Sequence, residues 1–156
     1  MTEIYVDADA CPVKDEVIRV AERHYLVTYM VSDGGIRPYP SPLVHLVFVP
    51  PGPDAADDWI AEHIGPGDIA ITNDIPLAHR CLKRAAGAIR ADGKLFTENS
   101  IGTAMATREI MAGLRERGKM TGGPPPFSKQ DRSRFLQALE TAVQARQHGH
   151  VPEAPR

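Results

Sequence analysis

Residues 4–14, IYVDADACPVK, constrain the fold more than any other stretch. Ile4, Tyr5 and Val6 are β-formers with no turn residue among them, so they predict a short buried strand that ends at Asp7. Asp9 follows where that strand stops. Pro12 suits the first turn of a helix, and Val13, Val17, Ile18 and Ala21 recur after it at helical spacing. The stretch reads as strand, acidic turn and helix. In open α/β sheets ligands bind beyond the carboxyl ends of the strands, so two carboxylates delivered there are well placed for a cation. Without one they would repel each other and raise each other's pKa. A plainer reading serves equally well at this point: Asp7 caps the helix, and Asp9 is a solvated turn residue.

The alternation continues along the chain. Leu26 to Val31 predicts a second strand, closed by Ser32, Asp33, Gly34 and Gly35. The proline-rich residues 37–42 predict a loop placed to lie over a site. Leu43 to Val49 predicts a third strand, and its near-continuous apolar character predicts burial on both faces. Asp54 to Ile64 predicts a helix with Asp54 as N-cap and with Gly65 and Pro66 as its stop. Acidic residues in a first turn complement the helix dipole, which explains Asp57, but a further carboxylate at Asp58 exceeds what capping requires. Ile69 to Thr72 predicts a fourth strand, followed by Asn73, Asp74 and a helix opened by Ile75 and Pro76. Asp74 alone is an ordinary N-cap. The repetition is what capping leaves unexplained: two strands stop at an aspartate, and the helix between them starts with an acidic pair.

A short edge strand over Ala88 to Ala91 and a helix from about Ile101 to Gly118 follow, with Met105 and Met111 on the packing face. Residues 121–127 read as a linker. Ser128 and Asp131 resemble a capping box, and Phe135, Leu136, Leu139, Ala142 and Val143 form an apolar stripe on a last helix. The predicted organisation is one domain over 1–147, with 128–147 packed on it as a C-terminal helix, and a disordered tail over 148–156. Strands alternating with helices predict an α/β domain with a mainly parallel sheet. Right-handed crossovers then bring Asp7, Asp9 and Asp74 to one edge, where the helix bearing Asp57 and Asp58 also starts. No histidine or cysteine cluster accompanies them, so Mg²⁺ or Mn²⁺ is the expected cofactor. Such ions activate water and stabilise the leaving oxygen of a phosphodiester.

Charge is unevenly distributed. Residues 1–79 hold 4 Lys/Arg against 13 Asp/Glu, whereas residues 80–134 hold 12 against 5. An acidic half and a basic half suit a metal site facing a polyanion, although solvated helix faces give similar counts. Lys14, Arg108, Lys129, Arg132 and Arg134 are candidates for backbone phosphate contacts, and Thr72 and Asn73 for orienting water or phosphate. No apolar run approaches the roughly 18 residues of a membrane span, and no signal peptide is read, so a cytoplasmic protein is expected. Cys11 and Cys81 lie far apart without metal-ligand spacing and are expected to be reduced and structural. No glycine-rich dinucleotide turn follows the first strand, which argues against a nucleotide-dependent oxidoreductase.

The stretches YVDADACPVK, ITNDIPLA, ENSIGTAMATRE and GGPPPFSKQDRSRFLQALE resemble the YaiI/YqxD family of uncharacterised bacterial proteins, over nearly the whole chain to about residue 145. That family is similar to the PIN-like nucleases, including the 5′-nuclease relatives. The resemblance implies a three-layer α/β/α Rossmann-like (PIN-like) domain with acidic residues at the strand ends. By position, the first-strand aspartate of those nucleases falls on Asp7 with Asp9 beside it, the acidic pair of their central helix on Asp57 and Asp58, and the aspartate after their fourth strand on Asp74. Two of the 5′-nuclease carboxylates are replaced here, by Ala55 and Pro76, which implies a one-metal or catalytically weak site. The expectation is a metal-dependent nuclease for RNA or single-stranded nucleic acid. Asp7, Asp9, Asp58 and Asp74 would be catalytic and hold the metal, with Asp57 among or behind them. The alternatives are an inactive nucleic-acid- or protein-binding module of the same fold, and a phosphatase for small phosphate esters that leaves the basic half unused.

Overall fold

The computed structural model describes residues 2–9, 11–103, 105–107 and 127–147. The elements run β1 (Ile4–Asp7), α1 (Lys14–His24), β2 (Thr28–Ser32), β3 (Val44–Phe48), α2 (Ala55–His63), β4 (Ile69–Ile71), α3 (Ile75–Lys83) and β5 (Gly87–Ile89). A helical segment, α4, follows over residues 98–103 and 105–107, and α5 (Lys129–Gln147) ends the described chain. The strands form one sheet in the order β3-β2-β1-β4-β5, with every pair parallel. The chain winds outward from β1 to β3 and then returns to the other side of β1 for β4 and β5. Winding therefore reverses between β1 and β4, and a crevice opens at the carboxyl ends of those two strands.

Period-2 alternation sorts β1 into two cores. Ile4 and Val6 meet α1 and α5 on one face, while Tyr5 meets α2 and α3 on the other, giving a three-layer α/β/α Rossmann-like domain. On α5, Phe135, Leu139 and Val143 recur every fourth residue and are fully buried. Each such burial contributes roughly 1.5–3 kcal/mol, enough to make α5 part of the core layer. The capping box at its start is present: Asp131 N–H donates to Ser128 Oγ (3.1 Å), and Ser128 N–H donates to Asp131 Oδ2 (2.9 Å). Gly93 (φ 93°) lets α5 come close, because a Cβ there would lie 2.7 Å from the Arg134 carbonyl carbon.

The third strand corrects one expectation. β3 is the outermost strand, Val44, Leu46 and Val47 are only half-buried, and Phe48 is 61% exposed. An apolar run of β-branched and aromatic residues suits an edge strand as readily as a central one, because the same residues fit any pleated surface. The proline-rich loop between β2 and β3 forms no helix; its Ile36 and Tyr39 pack with Val44 and Leu46 against the α1 side of the core. Asp54 occupies the N-cap position of α2 without a side-chain cap bond. Among the described residues no helix is long and apolar enough to cross a membrane. Arg108, Met111, most of the predicted linker and the tail over 148–156 lie outside the described residues.

Candidate functional site

The crevice between β1 and β4 is a cleft of about 290 Å³ whose lining includes Asp7, Asp9, Cys11, Thr72, Asn73 and Asp74. Its floor follows from the register. Val6 pairs with Ile71, so the next residues, Asp7 and Thr72, leave the sheet together. The Thr72 hydroxyl donates to Asp7 Oδ2 (3.0 Å), and its oxygen accepts the N–H of Asp74 (2.9 Å). Asp74 also caps α3, its Oδ1 accepting the N–H of Leu77 (2.8 Å), with Pro76 in the first turn. Capping and cleft-lining are thus compatible in one side chain. Burial pushes the Asp7 carboxyl up; the Thr72 bond opposes that, and the charges of Asp74 and Asp9 reinforce it.

The acidic pair of α2 divides. Asp57 is raised to about 6, first by burial and then by the charges of Asp74 and Asp7, with Asp54 adding and Arg80 subtracting. Asp57 is therefore the member of the pair coupled to the cleft. Asp58 instead accepts a hydrogen bond from Arg80 Nη1 (2.8 Å) on a half-exposed surface. Asp9 lines the cleft with both oxygens engaged: Oδ1 accepts from Ser32 Oγ (2.7 Å) and Oδ2 from the N–H of Asp33 (3.1 Å). It ties the acidic turn to the end of β2. Among the described residues no group of three or more His, Cys, Asp or Glu side chains is arranged to hold a metal ion.

The basic candidates also differ from one another. Lys14 Nζ donates to the carbonyls of Cys11 (2.8 Å) and Ala8 (3.2 Å) and so braces the acidic turn from behind. Asn73 Oδ1 accepts the N–H of Ala91 (2.9 Å), which ties the end of β4 to the residues after β5. Arg132 Nη1 donates to the carbonyl of Pro12 (2.5 Å), and its guanidinium lies 5.0 Å from the Phe127 ring centroid. Since Pro12 lines the cleft, the start of α5 stands at the cleft rim. Arg134 pairs with Asp131 (3.0 Å), and Lys129 is exposed. Arg108 lies outside the described residues.

Two participants escape sequence reading. Ser32 holds Asp9 from a neighbouring strand, and Arg80 holds Asp58 from a neighbouring helix. Neither carries a local signal, because each depends on which elements are adjacent. Thr72 is legible as a polar residue at a strand end, but its bond to Asp7 requires β4 to lie beside β1.

The family model described as "Uncharacterized BCR, YaiI/YqxD family" matches residues 5–145. A UPF0178 protein of Parvibaculum lavamentivorans is 62% identical over 145 residues, covering 93% of this chain and 95% of the relative. One of Rhodospirillum rubrum is 57% identical over 148 residues, covering 94% and 99%. One of Paramagnetospirillum magneticum is 60% identical over 143 residues, covering 92% and 95%. No solved structure matches the chain.

Proposed function

The chain belongs to the YaiI/YqxD family, and from that premise we propose that it is a metal-dependent nuclease acting on RNA or single-stranded nucleic acid through the cleft between β1 and β4. One observation carries the reading: Asp7 and Asp74, delivered by two adjacent parallel strands, are held on the same Thr72 hydroxyl at the point where the winding of the sheet reverses.

The donor set suits a hydrated Mg²⁺ or Mn²⁺, which takes one or two carboxylates and keeps several waters, better than an all-protein cage. Asp7 Oδ1 and Asp74 Oδ2 have no protein partner among the described residues, so each side chain keeps one oxygen for such an ion. The ion would supply positive charge and an acidified water for attack on a phosphodiester. The protein's own part is positional. Thr72 fixes one oxygen of Asp7, Asn73 keeps its amide N–H groups available at the cleft, and exposed Lys129 stands on the helix at the rim. Asp57, raised first by burial and then by the charges of the same two carboxylates, would sit behind them.

Titration calorimetry of Mn²⁺ into wild type, Asp7→Asn and Asp74→Asn, followed by RNA and single-stranded DNA cleavage on the same samples, tests the reading. Binding lost in both variants together with metal-dependent cleavage supports it; no binding at millimolar Mn²⁺ overturns it. A second reading, a module that binds nucleic acid without cleaving it, is favoured by the engagement of Asp58 with Arg80 and of Asp9 with Ser32. It requires affinity that survives both EDTA and Asp7→Asn.

A further inference from the structure

Phe127 is a large apolar side chain left 36% exposed at the cleft rim. Its place follows from contacts in series. The Arg132 guanidinium lies over the ring, 5.0 Å from its centroid, and Arg132 Nη1 donates to the carbonyl of Pro12 (2.5 Å), a residue that lines the cleft. With the C–N bond that joins them, these lengths put the ring centroid within about 9 Å of the Pro12 oxygen. A nucleotide entering the cleft, or its neighbour along a strand, can reach the ring.

Local helix chemistry accounts for part of this. Ser128 caps α5 through its reciprocal bonds with Asp131, so Phe127 precedes the cap and Arg132 stands at the fourth helical position. An apolar pair at those two positions is a hydrophobic staple, which fixes how the chain enters the helix. Here the second member is a cation with anchors of its own, the Pro12 carbonyl and, at 3.5 Å, Glu16 Oε1. A staple explains why the ring is held; it explains neither the charged partner nor a ring left more than a third in water. The guanidinium covers one face, which leaves the other for a second flat group. The charge of this turn suits an anionic chain: Asp131 is paired with Arg134 and with the cap, while Lys129, two residues from Phe127, is exposed.

Taking the cleft as the nucleic-acid site proposed above, we propose that Phe127 is a stacking platform for an unpaired nucleobase, with Lys129 on the adjoining phosphate, and that it restricts the cleft to single-stranded substrate. A base inside a duplex has both faces covered by its neighbours and offers only its edges in the grooves, whereas an unpaired base offers a face. Base, ring and guanidinium then form one stack. Because Arg132 is anchored before the strand arrives, little ordering is left to be done on binding. Stacking reads a π-face rather than a hydrogen-bond pattern, so the platform accepts any base and favours purines through their larger faces.

Fluorescence anisotropy of the full chain tests this, read in EDTA and again in Ca²⁺ so that binding is scored with and without a cation at the carboxylates. The labelled probes are of equal length and run in RNA and DNA versions: oligoadenylate, its duplex with the complementary strand, and an abasic sugar–phosphate oligomer. Phe127→Leu keeps an apolar staple and removes the flat ring. It should weaken oligoadenylate binding roughly ten-fold, within what base–aromatic stacking supplies, and leave the abasic probe unaffected. Phe127→Trp should keep wild-type affinity, and Lys129→Ala should weaken both single-stranded probes alike. The duplex should bind more weakly than oligoadenylate. Equal affinity of wild type and Phe127→Leu for oligoadenylate overturns the platform, as does an equal loss on the abasic probe or a duplex bound as tightly as the single strand. Those outcomes leave the cleft reading in place, whereas a wild type that binds neither single-stranded probe under either condition defeats the nucleic-acid reading and the platform together.

Discussion

Thr72 holds Asp7: its hydroxyl donates to Asp7 Oδ2 across 3.0 Å, while the same oxygen accepts the N–H of Asp74 across 2.9 Å. Thr72 is only 4% exposed, so water cannot readily replace it. Thr72→Val keeps the shape and removes both bonds, leaving two polar groups short of a partner at a cost of about 1–3 kcal/mol. Thermal unfolding should show that loss for Thr72→Val and little of it for Thr72→Ser. Removing the bond that lowers the Asp7 carboxyl should also move its NMR-detected titration further upward. A Thr72→Val protein with wild-type stability and an unmoved Asp7 would remove Thr72 from the site.

Asp57 links pH to stability. Its carboxyl is raised from 3.8 to about 6, so across that interval the folded state binds more protons than the unfolded one. Stability is therefore full below the lower value, declines as pH rises through the interval, and stays reduced above it. Asp57→Asn removes the penalty. In metal-free protein the variant should exceed wild type at pH 7 by about 1 kcal/mol or less, solvent screening having cut the shift's nominal worth, and should match it near pH 3.8. Denaturant melts at both pH values measure the difference, and a variant less stable at pH 7 contradicts the assigned crowding.

Much of this arrangement is local and can be read from the sequence. Ile4 to Val6 running into Asp7, the Asp74 cap with Pro76 behind it, and the Ser128–Asp131 box each involve residues within a few positions of one another. Strand adjacency is not local. The placement of β4 against β1 makes Thr72 a partner of Asp7, and the placement of α3 against α2 gives Asp58 to Arg80, while Asp57 feels the charges of Asp74 and Asp7. Adjacent residues on a helix point about 100° apart, so the acidic pair does not face one site together, and nothing in the local sequence says which member will. β3 is ambiguous for the same reason, since an apolar strand carries no mark of whether it lies inside a sheet or at its edge.

Gly93 makes a sharper test of how α5 is seated. At φ 93° a side chain is strained, and a Cβ would meet the backbone of Arg134 and Phe135 at 2.7–2.9 Å, closer than real Cβ atoms come. Backbone cannot yield as a flexible side chain does. Gly93→Ala should therefore cost about 2–4 kcal/mol, through strain and displacement of the start of α5. Thermal unfolding measures the loss, and amide exchange should localise new opening to the first turns of α5. A loss below about 1 kcal/mol would mean that the close approach is not kept in solution.

Lys129 and Arg132 stand three residues apart at the start of α5, yet they should respond differently to removal. Arg132 is already committed to the Pro12 carbonyl and the Phe127 ring, and it lies 3.5 Å from Glu16 Oε1, a buried oxygen with no hydrogen-bond partner among the described residues. Arg132→Ala should lower stability by about 1 kcal/mol, a modest figure because the guanidinium is half-exposed. Lys129 is exposed and makes no such interactions among the described residues, so Lys129→Ala should leave the melting temperature unchanged. If the cleft takes a nucleic-acid strand along this rim, Lys129→Ala should weaken RNA binding evenly across sequences. The slope of log affinity against log salt should then drop by about one, as expected when one phosphate is no longer neutralised by the protein. Fluorescence anisotropy across a salt series reads both quantities. An unchanged slope for Lys129→Ala would take this end of α5 out of the nucleic-acid path and leave Arg132 a purely structural residue.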